Sequence, residues 1–333
     1  MTRIAAVGAG RMGRGIAQVF AYAGFEVALI DVKPRDQDEA AAKLAEAIDE
    51  IARNLSFLES AGVLSSAQSA AVLARVTTHD AMSADQALAE ADVVFEGVPE
   101  VMAAKQAALQ KISAAVSDDA IIASTTSTMQ VDELAAFVGR PERFLNAHWL
   151  NPAYLIPLVE VSAGAATAEA TVAAMTELLE QAGKVPVRCA ARPGFIVPRI
   201  QALAMNEAAR MVEEGVASPE DIDKAIRVGF GVRYAVMGLI EFIDWGGGDI
   251  LYYASRYLKG ALGSERYQAP EVVETNMAEG RIGLRSGQGF YDFTDMDIDA
   301  YQRETLRKFV DLLRHLDMLP APAGSNTTED QRP

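Results

Sequence analysis

Three glycines at positions 8, 10 and 13 constrain this chain more than any other feature. They stand in the segment IAAVGAGRMGRGIAQVFAYAG, directly after a short apolar run and directly before a stretch of helical composition. The chemistry of a strand that turns at once into a helix around a ligand asks for glycine at each place. Gly8 makes the tight turn, Gly10 lets the backbone approach a pyrophosphate, and Gly13 lets helix pack closely on strand. The diphosphate then sits at the helix N-terminus, where free N–H groups and the helix dipole favour an anion. Arg11 and Met12, between the second and third glycines, are counted with this cofactor-binding loop. Asp31 ends the next expected strand roughly 20 residues on, where a carboxylate accepts hydrogen bonds from the adenosine ribose hydroxyls. A carboxylate there repels a 2′-phosphate, so NAD is favoured over NADP, although Lys33 and Arg35 follow closely and soften the preference. The alternative, a tight turn with no ligand, has the whole context of the fingerprint against it.

The chain has 333 residues, which at about 150 residues per domain suggests two domains. Up to about residue 190, β-branched apolar runs alternate with alanine-rich helical stretches. Strands are expected at Arg3–Val7, Glu26–Ile30, Val76–Thr77, Asp92–Glu96, Ile121–Ser124, Phe144–His148, Leu158–Ser162 and Val185–Cys189. The helices between them are expected at 13–23, 38–61, 66–73, 101–116, 131–138 and 168–182. Strands alternating with helices predict an α/β fold, a doubly wound parallel sheet covered on both faces. The break Arg192-Pro193-Gly194 marks a change of character. Beyond it helices dominate, at 198–214, 219–228, 249–262, 270–279 and 300–316. The expected organisation is therefore 1–190 as the nucleotide-binding domain, 191–319 as a smaller all-α domain, and 320–333 as a disordered tail without apolar periodicity.

Lys and Arg number 30 against 46 Asp and Glu, a formal net charge of −16. No cationic excess exists to release counterions from nucleic acid, so a nucleic-acid partner is not expected. The single cysteine, Cys189, fits a reducing compartment. No secretory signal is recognisable, because the first apolar run stops at Arg11. The longest uncharged stretch of note, 144–159, carries Asn146, His148, Asn151, Pro152 and Pro157 and so does not suit a bilayer. No membrane partner is expected, and the cytoplasm is the default location. With one Cys and three scattered His, no metal site is expected either.

Six separate motifs carry a family resemblance: VGAGRMGRGIA at 7–17, EGVPEVMAAKQ at 96–106, STTSTM at 124–129, AHWLNPAYLIPLVEV at 147–161, RPGFIVPRI at 192–200 and GLRSGQGFYDF at 283–293. Together they resemble the 3-hydroxyacyl-CoA dehydrogenase family, which includes L-gulonate 3-dehydrogenase (lambda-crystallin) and carnitine dehydrogenase. The resemblance implies a Rossmann-type domain that binds NAD, a helical second domain that dimerises, and a substrate cleft between them. It implies that His148 is the general base that takes the proton of the substrate hydroxyl while hydride passes to the nicotinamide, with Glu160 as its partner. It further implies that Ser127 and Asn151 hydrogen-bond near the nicotinamide and the reacting oxygen, and that Glu100 and Lys105 contact the nicotinamide-side ribose. The implied partners are a small-molecule substrate, acyl-CoA or carboxylic acid, and a second copy of the chain.

The residues support part of this independently. Oxidation of an alcohol by NAD needs a proton acceptor beside the carbinol, and only His79, His148 and His315 are available. His79 lies in the turn TTHD and His315 in a surface-like helix. His148 ends a buried-type strand and precedes Asn151-Pro152 at the carboxyl edge of a parallel sheet, where such folds bind ligands. An ordinary imidazole titrates near pH ~6.5 and accepts a proton at neutral pH. Glu160 lies in the next apolar strand, and a lone carboxylate there requires a partner, for which imidazole is a sensible candidate. Other readings stay open. Ser127 is equally placed to cap the following helix, and Glu100 and Lys105 equally suit a solvated face.

The chain departs from the family at Pro198, where most relatives have an Asn that hydrogen-bonds near the substrate's oxygens. Proline offers neither N–H nor side-chain donor, although it also opens a helix well. The usual acyl-CoA substrate is therefore in doubt. The segment GFGVRYAVMGLIEFIDWGGGD resembles the free-acid branch, and its Arg233 is either a clamp for a substrate carboxylate or half of an ordinary ion pair. The reaction expected is NAD-dependent oxidation of the secondary alcohol of a 3-hydroxyacyl-CoA or 3-hydroxy acid, or its reverse. The alternatives are a dehydrogenase of a free acid (gulonate-, carnitine- or aromatic alcohol-acid-like), and a catalytically silent NAD-binding, crystallin-like relative.

Overall fold

The computed structural model describes residues 2–322. The part of the expected tail at 323–333 lies outside the described residues. The chain divides into two compact units, Met1–Asn206 and Glu207–Pro333.

The first unit is built on one eight-stranded sheet, β1 (Arg3–Val7), β2 (Glu26–Ile30), β3 (Val76–His79), β4 (Val93–Glu96), β5 (Ile121–Ser124), β6 (Phe144–Trp149), β7 (Leu158–Ala163) and β8 (Val185–Ala190). Their spatial order is β3-β2-β1-β4-β5-β6-β7-β8. The first six follow the doubly wound order, whose reversal between β1 and β4 opens a crevice at the carboxyl ends of the strands. The expected parallel sheet needs one correction: β6 and β7 pair antiparallel. The link from Trp149 to Leu158 contains no crossover helix, and a short link of this kind returns the chain alongside the strand it has just left.

Helices α1 (Arg11–Tyr22), α2 (Gln37–Ser60), α3 (Ser66–Leu73), α4 (Ala84–Ala89), α5 (Met102–Ala115), α6 (Val131–Ala135) and α7 (Glu169–Gln181) cover both faces. Strand alternation sorts the core into two clusters. Ile4, Ala6, Val93, Phe95, Leu145, Ala147 and Trp149 face Ile16, Phe20 and Ile51 on one side. Ala5, Val7, Val94, Ile122 and Phe144 face Leu88, Leu109 and Leu134 on the other. Because positions two apart share a face, Glu96, Ser124, Asn146, His148 and Glu160 all fall on the second face. The register sets Glu96 beside Ser124, Ser124 beside Asn146, and His148 directly opposite Glu160. All five are buried.

Helix α8 (Val197–Glu213) runs from the first unit into the second. The second unit contains α9 (Pro219–Ala225), a π-helical stretch Ile226–Gly231, α10 (Val232–Tyr234), α11 (Leu239–Gly246), α12 (Gly248–Leu262), α13 (Glu271–Ala278) and α14 (Ile298–His315). Its GLRSGQGFYDF segment is a turn pinned by Asp244, whose carboxylate accepts from the backbone N–H groups of Phe290 at 3.1 Å and Tyr291 at 2.8 Å. A Cβ on Gly289 would collide with that carboxylate, which accounts for a glycine at this place in the motif. No helix among the described residues is long and apolar enough to cross a membrane.

Candidate active site

A cavity of about 1020 Å³ opens in the first unit, lined by Gly8, Gly10, Arg11, Met12 and Asp31 and continuing past Gly97 and Glu100 to Ser127 and Asn151. These residues follow β1, β2, β4, β5 and β6, so the cavity runs across the carboxyl edge of five strands. At about 4.8 Å per strand that is on the order of 20 Å, room for an extended dinucleotide. The glycine loop fits a diphosphate on structural grounds. Gly8 has φ +103°, and a Cβ there would sit 2.8 Å from the carbonyl oxygen of Gly97. A Cβ on Gly13 would collide with the carbonyl oxygen of Gly8, whereas one on Gly10 would meet nothing within 4 Å. Gly10 is thus the glycine that the protein's own packing does not require. It caps the N-terminus of α1, where no side chain accepts from the first-turn amides, and those amides are left for an anion.

At one end of the cavity, Asp31 is 6% exposed and accepts from Nε of Arg35 at 2.8 Å. Lys33, Arg35 and Lys43 also line this end. Arg35 further donates to Glu39, so its charge is divided between two carboxylates.

At the other end a hydrogen-bonded network, buried at Glu96 and Lys105 and open at Glu100, fixes the loops after β4 and β5. Oε1 of Glu100 accepts from Oγ1 of Thr126, the backbone amides of Ser127 (3.0 Å) and Thr128 (3.1 Å), and Oγ1 of Thr128 (2.9 Å). Partial burial pushes the Glu100 carboxyl up, but the Thr126 hydroxyl, the Lys105 ammonium and Thr128 outweigh it and hold it below the usual carboxylate range. Lys105 is only 1% exposed and is absent from the cavity wall. Its ammonium lies 3.1 Å from both carboxylate oxygens of Glu96 and 3.5 Å from Glu100. An ammonium buried this deeply requires a counter-charge, and Glu96 supplies it. Glu96 also accepts from Ser124 Oγ at 2.6 Å and the Val98 amide at 2.8 Å.

Nδ1 of His148 stands 2.7 Å from Oε2 of Glu160. A carboxylate only accepts, so Nδ1 is the donor of this bond, and in the neutral ring Nε2 is the nitrogen left to accept. Among the described residues Nε2 has no partner. Oε1 of Glu160 accepts from the amides of Ile196 at 2.9 Å and Val197 at 2.7 Å, the start of α8. Three of the roughly four acceptor directions of this fully buried carboxylate are thereby used. Phe195, held in the left-handed region at φ +44°, stacks on the imidazole with ring centres 5.5 Å apart. His148 is 4% exposed and lies three residues before Asn151, which does reach the cavity wall.

Of the expected site residues, the structure gathers Gly8, Gly10, Arg11, Met12, Asp31, Glu100, Ser127 and Asn151 around the cavity and pairs His148 with Glu160. Pro198 occupies the first turn of α8, next to Val197. Arg233 lies in the second unit, its guanidinium 4.2 Å from the ring centre of Phe242, with no carboxylate paired to it among the described residues. Glu96, Ser124 and Asn146 escaped the sequence reading. The signal was present: a polar residue breaks each apolar strand at one register position. Cys189 donates weakly to Val161, and burial, with the Glu160 charge, pushes its thiol up to about 11. No cluster of metal-ligating side chains occurs among the described residues.

Comparison with known proteins follows the same lines. A family model described as "3-hydroxyacyl-CoA dehydrogenase, NAD binding domain" matches residues 3–192, and one described as "3-hydroxyacyl-CoA dehydrogenase, C-terminal domain" matches residues 194–293. The 5-formyl-3-hydroxy-2-methylpyridine 4-carboxylate 5-dehydrogenase of Mesorhizobium japonicum is 35% identical, the match spanning 94% of this chain and 98% of the relative. A probable 3-hydroxybutyryl-CoA dehydrogenase of Bacillus subtilis is 33% identical over 88% and 98% of the two chains. Among solved structures, a 3-hydroxyacyl-CoA dehydrogenase of Archaeoglobus fulgidus is similar with a TM-score of 0.75 at 29% identity, over 96% of this chain and all of that one. A 5-formyl-3-hydroxy-2-methylpyridine 4-carboxylic acid 5-dehydrogenase, described as an NAD+-dependent dismutase, gives 0.68 at 32% identity, covering 95% and 99% of the two chains.

Proposed function

This chain belongs to the 3-hydroxyacyl-CoA dehydrogenase family, a family of NAD-dependent oxidoreductases, and from that premise we propose that it oxidises the secondary alcohol of a 3-hydroxy acid or its CoA thioester to the 3-oxo product, or runs that reaction backwards. The observation that carries the reading is the His148–Glu160 pair with Nε2 of the imidazole unpartnered. NAD, when bound, supplies the hydride acceptor. The glycine loop and the start of α1 hold the diphosphate, and Asp31 receives the adenosine ribose. Glu100, Ser127 and Asn151 orient the nicotinamide end. Nε2 of His148 takes the hydroxyl proton as hydride leaves the carbinol carbon. Glu160 keeps the proton of the neutral ring on Nδ1 and then stabilises the imidazolium. In the reverse direction the same Nε2 returns the proton to the carbonyl oxygen.

A second reading is that the substrate is a free acid rather than a CoA thioester. Two observations favour it. Pro198 removes a side-chain donor beside Val197, and the Mesorhizobium relative is named for a pyridine carboxylate. In this reading Arg233 clamps the carboxylate. An assay of NADH formation with 3-hydroxybutyryl-CoA, L-gulonate, carnitine and an aromatic alcohol-acid tests both readings. Turnover of the thioester alone contradicts the free-acid reading, and no NADH from any of them contradicts the activity. NAD binding without turnover would instead fit a silent binding protein, against which the satisfied His148–Glu160 pair stands.

The working form in this proposal is a cytoplasmic homodimer. Helix α12 has no buried residue and exposes Ile250, Tyr253 and Tyr257 along one stripe, an apolar face that a second copy would cover. A monomer in sedimentation at micromolar concentration contradicts it.

A further inference from the structure

Lys184 carries a buried charge that the proposed mechanism does not use. It stands between α7 and β8, is 8% exposed, and pairs with no carboxylate among the described residues. Its ammonium donates to the carbonyl oxygens of Ala153 at 2.5 Å and Ile156 at 3.0 Å, and lies 5.7 Å from the centre of the Trp149 ring. Burial lowers its pKa, as expected for a cation without a counter-charge. Such a group is costly, and packing alone would be served as well by methionine. What lysine adds is a set of donors.

The ammonium's contacts with Ala153, Ile156 and Trp149 fall on one segment. Trp149 adjoins His148, while Ala153 and Ile156 belong to the turn that follows Asn151. That turn closes through the amides of Leu155 and Ile156 on the carbonyl of Pro152. It also rests on α1, where a Cβ on Gly15 would come within 2.9 Å of the Cβ of Ala153. The turn is therefore seated on the helix that begins at the glycine loop and tied by its carbonyls to Lys184.

The geometry points to Lys184 as a positioning residue, whose ammonium gathers two carbonyls of the turn and the face of Trp149 and thereby sets where Asn151 and His148 stand relative to the cofactor cavity. The inference rests on the roles proposed above for His148 and Asn151. A misplacement on the order of 1 Å at such a site costs about 10²-fold in rate.

The test compares Lys184→Met, which keeps the stem and removes the donors, with Lys184→Arg, which restores a cation with donors. Lys184→Met is expected to lower kcat roughly 10- to 100-fold while the Kd for NADH, read by fluorescence, stays at the parent value. Its deuterium isotope effect on kcat should rise as hydride transfer becomes slower. Lys184→Arg should recover much of the loss. A crystal structure of Lys184→Met should show residues 151–156 displaced. If that variant fails to fold, Lys184→Gln, which removes the charge and shortens the reach while keeping two N–H donors, carries the same measurements. An unmoved turn, or an unchanged kcat in a folded variant, overturns the proposal. If the parent turns over no hydroxy acid or thioester, the reading of function fails separately, and the position of the turn still decides the role of Lys184.

Discussion

Replacing Glu160 by Gln changes one atom and puts the proposed dyad under the most specific strain. The carboxylate now receives three donors: Nδ1–H of His148 on one oxygen, and the Ile196 and Val197 amides on the other. Glutamine keeps one acceptor and presents an NH2 in place of the second. If its oxygen stays on the two amides, the NH2 faces Nδ1, which must then accept. The imidazole proton moves to Nε2, and the base becomes a donor. If the amide turns over, the NH2 confronts two backbone N–H groups at the start of α8. The first arrangement leaves fewer buried donors unmet and should prevail. The lost charge-assisted bond is worth about 1.5–3 kcal/mol, or about 10- to 10²-fold at 1.36 kcal/mol per decade. The wrong tautomer adds to this, as in catalytic triads where the Asp→Asn change costs about 10⁴. The expectation is a kcat lower by roughly 10²–10⁴-fold with NADH binding unchanged. Folding should lose only about 1–3 kcal/mol, at about 2–4 °C in Tm per kcal/mol for a unit of this size. NADH absorbance in steady state and calorimetry read the two effects. A folded Glu160→Gln protein with the kcat of the parent would refute the assignment of Glu160.

The glycine loop offers a paired prediction. Gly10→Ala meets no protein atom within 4 Å, so it should fold normally and bind NADH weakly, while Gly13→Ala should lower Tm because its Cβ collides with the Gly8 carbonyl; equal effects on Tm contradict the reading. Asp31→Ser should narrow the ratio of NADPH to NADH dissociation constants, since Arg35, now shared with the carboxylate at 2.8 Å, becomes free to meet a 2′-phosphate; an unchanged ratio argues against Asp31 as the discriminating group. Cys189, its thiol pushed up to about 11, should react slowly with iodoacetamide at neutral pH and faster as the pH rises; rapid modification of the folded protein at neutral pH would count against a half-buried thiol raised in this way.

Much of the first unit was legible because its strands are short β-branched runs between alanine-rich helices. The strands at Arg3–Val7, Glu26–Ile30 and Ile121–Ser124 have the expected ends, and the rest differ by one or two residues. The antiparallel turn of β7 was not legible, because periodicity gives a strand but not its direction. It matters to the site: it sets Glu160 directly opposite His148, twelve residues apart in sequence. Helix α4 and helix α11 were missed. The first has only six residues, and the second has only eight, mostly apolar, and runs directly into glycines. The glycine loop, Asp31 and the histidine were visible because their chemistry dictates residue type. Lys105 shows where such reading stops. The family resemblance implied a ribose contact for it and Glu100, but the residue that takes most of its charge is Glu96, which in sequence is only the last letter of an apolar strand.

The central claim is that His148, oriented by Glu160, takes the proton as hydride leaves the substrate. The most direct measurement is kcat of His148→Ala against the parent, on whichever hydroxy substrate gives NADH, with NADH affinity measured in parallel. The account predicts a loss of about 10²–10⁴-fold in kcat at parental affinity. A variant that binds NADH and turns over at the parental rate would contradict it.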